Sequence, residues 1–353
     1  MKKIVFLFAM VLIAGVVMAQ TNRSVISQAD GTQTATVDQQ GSLNTSNVTQ
    51  SNEGNEATIN QVNMNLLPGN LVLSNVTQSG KKNEIIVDQV HDGDYGNAEG
   101  IIETYALQSG NNNEAHQKQG GTHTTGTLFA SLTQSGNNNF ASQNQRKYWN
   151  NAYVIQSGDG NTAMQAQDAE FIEEVETSHY GYINQSGNNN YAEQDQNGHG
   201  NSAVAVQSGN GNDVWQYQNA FKSEARVDQL LGNNNDATQT QMGASNFATI
   251  NQSSNGNEAL QNQEGGDRRG GTNYDANNLA EIFQLGGNGN VAFQYQTTPG
   301  GGVDLNHAWA RQEGVGNYSM QDQDGGFNVS TVSQVGNGHS ANVTQSQSIF
   351  QVN

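Results

Sequence analysis

Carboxamides are the chemistry that this sequence repeats. A glutamine opens each unit, at Gln28, Gln50, Gln78, Gln108, Gln134, Gln156, Gln185, Gln207, Gln229, Gln252, Gln284, Gln312 and Gln334. A second glutamine follows 11 or 12 residues later, at Gln39, Gln61, Gln89, Gln119, Gln145, Gln167, Gln196, Gln218, Gln241, Gln263, Gln296, Gln323 and Gln345. Six residues before the second glutamine stands Asn55, Asn83, Asn113, Asn139, Asn161, Asn190, Asn212, Asn235, Asn257, Asn290 or Asn317, with Gln33 and His339 as exceptions. Four residues before it stands Ala35, Ala57, Ala115, Ala141, Ala163, Ala192, Ala237, Ala259, Ala292 or Ala341, replaced elsewhere by Ile85, Val214 and Ser319. A carboxamide donates and accepts at once, so like carboxamides stacked above one another form a hydrogen-bonded ladder. That chemistry is structural. The other polar groups compose no catalytic set: the 7 histidines are scattered, with no Ser/His/Asp constellation among them. Glu170, Glu173, Glu174, Glu176 and His179 gather in one segment but lack a ligand spacing, so they read as a solvated acidic loop and not as a metal site. Arg268 and Arg269 read as a solvated pair, and GNGN at 209–212 and 287–290 as turns. Asn47, Asn75 and Asn342 fall in a recurring N-V-T-Q phrase and carry no glycosylation reading. No cofactor is expected.

The elements that position these amides follow from parity. The motif Q-x-G-x-x-N-x-A-x-x-x-Q separates its marked N, A and Q by even steps, and even steps lie on one face of a strand. Asn139, Ala141, Gln143 and Gln145 therefore point one way, and Phe140, Ser142 and Asn144 the other. The second set varies freely from unit to unit, so the constant face is the inner one. Trp149, Trp215, Tyr217 and Tyr295 fall near outward positions. A second strand ends at each opening glutamine. Two residues before that glutamine the side chain is always aliphatic: Ile26, Val48, Val76, Ala106, Leu132, Val154, Ile183, Ala205, Val227, Ile250, Ile282, Ala310 or Val332. The equivalent place in the first strand is glutamine from Gln117 through Gln321. Such units predict an all-β fold: a β-solenoid of stacked strand-turn-strand arches, two parallel in-register sheets with Gln/Asn ladders. Thirteen copies at about 4.8 Å per rung would make a rod about 60 Å long. Long insertions fall only between a second glutamine and the next opening one, at 62–77, 90–107, 120–133, 168–184, 264–283 and 297–311, which places them on one edge.

Composition agrees. Apolar residues make up 33% of the 353, Gly numbers 41 and Pro only 2, poor material for an ordinary core. Residues 1–19 differ: Lys2 and Lys3, an apolar run, then Val17-Met18-Ala19, the pattern of a signal peptide cut before Gln20. Its removal lowers Lys+Arg from 13 to 11 against 32 acids, a formal charge of −21. So acidic a chain is not expected to bind nucleic acid or anionic lipid, and no later stretch is apolar enough to insert in a membrane. There is no cysteine, so no disulfide staples the exported chain. The remaining divisions are a half-repeat at 20–27, thirteen repeats over 28–345 and a partial strand at 346–353.

The motif resembles the curlin repeat, the unit of curli, the functional amyloid fibres of bacterial biofilms, and the resemblance runs over about residues 24 to 345. It implies that inward Gln, Asn and Ala form the ladders of a two-sheet solenoid, and that the chain is secreted through an outer-membrane pore with periplasmic accessory proteins. It also implies assembly outside the cell as a homopolymer, started by a nucleator subunit. The chain is longer than short curlins and carries edge insertions. Its last repeat lacks Lys and Arg, whereas the nucleating subunit tends to a basic final repeat, so the expectation is the major-subunit role. Both ends resemble open strand edges: Val25, Ile26 and Gln28 at one, and Ile349 and Phe350 at the other. Two other readings stay open: a monomeric ligand-binding solenoid, which lacks the flat Thr row of an ice binder and the G-G-x-G-x-D of a calcium binder, and an adhesin acting through its edge loops.

Overall fold

The structure is a computed structural model that describes residues 22–64, 70–91, 100–121, 126–147, 149–169, 178–265, 278–298 and 305–346. Its elements are all strands: β1 (Arg23–Ala29), β2 (Thr34–Gly41), β3 (Asn44–Ser51), β4 (Glu56–Asn63), β5 (Leu71–Lys81), β6 (Glu84–His91), β7 (Ile101–Asn111), β8 (Glu114–Gly121), β9 (Leu128–Asn137), β10 (Phe140–Arg146), β11 (Asn151–Ser157), β12 (Thr162–Ala169), β13 (Tyr180–Asn188), β14 (Tyr191–His199), β15 (Ser202–Asn210), β16 (Asp213–Phe221), β17 (Glu224–Gln229), β18 (Asp236–Ala244), β19 (Phe247–Gln252), β20 (Glu258–Gly265), β21 (Leu279–Leu285), β22 (Val291–Thr297), β23 (His307–Glu313), β24 (Tyr318–Asp324), β25 (Val329–Val335) and β26 (Ser340–Ser346). The odd strands form one 13-stranded sheet and the even strands another, each in chain order and wholly parallel. One odd and one even strand make a rung, and the chain climbs one rung at a time.

Register follows identity. Gln134 pairs with Gln108 below and Gln156 above, and Ala141 with Ala115 and Ala163. A slip of one residue would turn every inner amide outward, so the period of 2 holds the register. The aliphatic row of the odd sheet and the alanine row of the even sheet form one continuous apolar seam, from Val48 and Ala57 to Ala292 and Ala310. Large side chains on one sheet meet small ones on the other. The middle glutamines of the even sheet meet a row of small residues on the odd sheet: a Cβ on Gly181 would lie 3.0 Å from the Nε2 atoms of Gln165 and Gln167.

The turn from odd to even strand stacks backbone on backbone. Gly80, Gly110, Gly136, Gly158 and Gly187 stand at φ between 97° and 101°, a region closed to side chains. A Cβ on Gly136 would lie 2.1 Å from the carbonyl oxygen of Gly158 in the next rung. Asn112, Asn138 and Asn189 follow in the left-handed region at φ 53°, 56° and 55°, which asparagine tolerates better than other side chains. The opposite turns, from even to odd strand, carry the long insertions. The ranges the sequence assigns to insertions also contain strand: β5, β7, β9, β13, β21 and β23 begin inside them. The extra residues lie between these strands and the even strands before them.

Gly136→Ala should lower stability by at least about 2 kcal/mol, since it adds a closed φ to a steric overlap. Denaturant melting checks this. Gly256→Ala, where the φ is 62° but no atom lies within 4 Å of the added Cβ, should cost less.

Candidate functional site: amide ladders and open end rungs

Three unbroken glutamine ladders run through the interior. In the opening row each Nε2 donates to the Oε1 of the next rung, from Gln28 to Gln50 at 2.7 Å through to Gln312 to Gln334 at 2.9 Å. The closing row does the same from Gln39 to Gln61 at 2.8 Å through to Gln323 to Gln345 at 2.9 Å. The middle row runs from Gln117 to Gln143 at 2.8 Å through to Gln294 to Gln321 at 2.8 Å. The second hydrogen of each amide binds the sheets to one another: Gln145 Nε2 donates to the Phe129 carbonyl at 2.9 Å, and Gln134 Nε2 to the Glu114 carbonyl at 3.0 Å. Away from the end rungs these side chains are buried, and both hydrogens of each amide have partners.

The ladders have direction. Every glutamine donates toward the C-terminal end. The asparagine row runs oppositely: the backbone N and the Nδ2 of Asn113 both donate to the Oδ1 of Asn83, at 3.0 and 3.2 Å. Asn113 Nδ2 also closes its own turn on the Ser109 carbonyl at 3.0 Å and grips the Gly136 carbonyl at 2.9 Å. The asparagine is thus a turn clamp as much as a ladder member.

The structure adds rows that the motif leaves out. The odd strands begin with the same offsets from glutamine as the even ones: six residues before the opening glutamine stand buried Asn44, Asn150, Asn201, Asn246, Asn278, Asn306 and Asn328. Val72, Ile102 and Leu128 occupy that row in three successive rungs and form a small apolar cluster of their own. Four residues before the glutamine runs a row of Ser, Thr, Ala and Gly. Counting back from the opening glutamine, as from the closing one, would have found both rows.

His179 corrects the sequence reading. It lies six residues before Gln185, in the asparagine row, fully buried and not in a solvated loop. Glu170, Glu173, Glu174 and Glu176 lie outside the described residues, as do Arg268, Arg269, Ile349 and Phe350. Asn201 donates its backbone N–H to His179 Nδ1 at 3.2 Å, so this nitrogen holds a lone pair and stands where an asparagine has Oδ1. Burial, with His199 adding to it, lowers the imidazole pKa from 6.5 to about 4. No group of metal-ligating side chains occurs among the described residues.

On the outer faces, like charges stack in register: Glu56, Glu84 and Glu114 in one run, Asp213, Asp236 and Glu258 in another. Desolvation raises the carboxyl pKa of Asp213 and Asp236, and the charge of Asp236 adds to the rise at Asp213. Aromatic rings also stack between rungs, as in Tyr105–Phe129–Tyr153–Tyr180 with centroids 5.8, 5.3 and 5.7 Å apart. Trp215 lies 4.8 Å from Tyr191, and Trp149 covers Gly126.

The end rungs differ from all others. Among the described residues nothing covers β1 and β2 on one side, or β25 and β26 on the other. Ile26, in the aliphatic row, is 37% exposed where Ile183 is 0%. Val25 is an outward residue of the same edge strand, 42% exposed.

Two outcomes follow from the ladders. Gln194→Val leaves the Gln216 Oε1 and one Gln165 N–H without their partners and should cost about 2–5 kcal/mol. Val87→Gln should lie within about 1 kcal/mol of the parent, because the ladder already starts with an unpartnered Oε1 at Gln117 and the change only moves that start one rung. Denaturant midpoints of the two variants check the contrast. For His179, the unfolded imidazole takes its proton near pH 6.5 and the folded one not until about 4. The unfolded state binds more protons between these values, so stability falls as pH drops through that window. His179→Asn should remove this part of the slope, read as the midpoint difference between pH 7 and pH 4.

Residues 322–346 match the model of the curlin associated repeat family. The matched stretch takes in the end of β24 and all of β25 and β26. No curated protein matches the chain. The chain carries a curlin associated repeat at residues 322–346, set in a β-solenoid whose other rungs share its opening and closing glutamine rows.

Proposed function

We propose that this chain is the secreted structural subunit of an extracellular, curli-like amyloid fibre of biofilm matrix, the major subunit rather than the nucleator, growing head to tail. The observation that carries this reading is the pair of open end rungs. Among the described residues each presents a strand edge with no further rung against it, and Ile26 of the first rung is left 37% exposed; such edges recruit further strands. A contact between two unlike faces of one molecule does not close on itself and propagates as a filament. The curlin associated repeat and the two-sheet solenoid fit this structural role.

The rest of the reading follows from export. A signal peptide at 1–19, an outer-membrane pore, periplasmic accessory proteins and a separate nucleator would bring the chain unfolded to the cell surface. The edge insertions would then project from the fibre side, where adhesion would take place. A monomeric ligand-binding solenoid is the second reading. It requires that the end rungs be covered, and no described residue covers them.

The test is a time course on residues 20–353 diluted from denaturant, followed by dye fluorescence and then fibre diffraction. Conversion to fibres with a reflection near 4.7 Å is expected. A folded chain that stays monomeric would overturn the proposal and favour the second reading.

A further inference from the structure

The two faces of the solenoid carry opposite hydrogen-bonding signs. Because each glutamine donates toward the C-terminal side, Gln28 and Gln39 in the first rung turn their Oε1 atoms outward, with no donor below them among the described residues. Gln334 and Gln345 in the last rung accept from Gln312 and Gln323 and so turn their Nε2 atoms outward. Each keeps one hydrogen for the opposite strand, on the carbonyls of Tyr318 at 2.7 Å and Val329 at 2.9 Å. The other hydrogen is the one that a next rung would take. Two first rungs brought together would set acceptor against acceptor, and two last rungs donor against donor.

His339 sits at the edge of the last rung, in the asparagine row. Its backbone N donates to Asn317 Oδ1 at 3.0 Å, as Asn113 and Asn139 donate to the asparagines below them. Its Nε2 lies 3.0 Å from the Val335 carbonyl, the contact that Asn317 Nδ2 makes with the Glu313 carbonyl. A carbonyl only accepts, so in the neutral imidazole this contact puts the proton on Nε2 and leaves the lone pair on Nδ1. His179 shows what that lone pair does inside the stack: it accepts the backbone N–H of the following rung. In the first rung the corresponding row position is Gln33, whose side-chain amide folds back on the Ala29 and Asp30 carbonyls at 3.0 and 2.9 Å.

We propose that successive molecules join through a polarity-matched seam in which Gln334 and Gln345 donate to Gln28 and Gln39 of the next copy, while neutral His339 accepts the backbone N–H of that copy's Gln33 on Nδ1. The inference rests on the fibre reading above and adds the register, the direction and a pH-sensitive point. A protonated imidazole carries hydrogen on both nitrogens and would set N–H against N–H at Gln33. Histidine is the side chain whose charge ordinarily changes between pH 5 and 8. The charged groups on the turns stacked at this edge are Glu313, already paired with Arg311, and Asp30 of the incoming rung; Tyr318 donates its backbone N to the His339 carbonyl. Acid also weakens the repulsion between chains of large negative charge, which acts in the opposite direction, so the seam must be read against a variant and not from pH alone.

The experiment is seeded elongation of residues 20–353, parent against His339→Asn, with the same substitution in seed and monomer, at pH 8 and pH 5. The expected result is a variant-to-parent rate ratio near unity at pH 8 and about ten at pH 5, the effect of one lost hydrogen bond and one opposed pair. Equal ratios at both pH values would overturn the histidine contact. The double variant Gln28→Leu, Gln39→Leu should elongate parent seeds about tenfold more slowly at either pH, and elongation at the parent rate would overturn the glutamine contacts. A parent chain that elongates at neither pH contradicts the fibre reading itself and takes the seam with it.

Discussion

A buried carboxamide needs a partner on both sides along the axis, and the rest of the molecule is arranged around that need. Leaving one donor or acceptor unmade costs about 1–3 kcal/mol, more than a made bond contributes. A single buried glutamine would therefore be a defect. A row of them defers the defect to its two ends, and that is why Gln recurs at each opening and closing position from Gln28 to Gln345. The same rule explains the middle row. It is aliphatic at Val37, Ile59 and Val87, amide from Gln117 to Gln321, then aliphatic again at Val343. The change of material happens once at each end, not at scattered rungs.

Sidedness follows from the same stacking. With like residues superposed, any residue needed inside is needed in every rung, while the outer face is free to vary. Variation there has a different cost, since like charges also stack, as in Glu56, Glu84 and Glu114. The glycine column and the asparagine clamp keep the odd-to-even turn within one residue of the same length in every rung. Extra residues are consequently confined to the opposite edge, where a longer connection disturbs no ladder.

Much of this was legible in the sequence. Parity put Asn139, Ala141, Gln143 and Gln145 on one face, and the structure places them there, buried. The odd-strand asparagine row was harder to read. Val72, Ile102, Leu128, His179 and Ser223 interrupt it, and it lies just after the insertions, where spacing from the preceding unit is lost. His179 was drawn toward its acidic neighbours in sequence, although its distance from Gln185 places it in the stack. The direction of the amides was beyond sequence altogether. A glutamine reads the same whichever way its Oε1 and Nε2 point, and only the choice between the carbonyls of the opposite sheet and the next rung fixes it.

The glutamine amides are bonded into continuous internal ladders and are not solvated. Hydrogen exchange of the side-chain Nε2 groups, read by NMR on chain labelled at glutamine, tests it most directly. In continuous ladders the Nε2 hydrogens of inner residues such as Gln134, Gln145 and Gln194 exchange as slowly as the backbone amides of their own strands. Exchange of these hydrogens at the rate of a free glutamine side chain, with the strand backbone still protected, would contradict it.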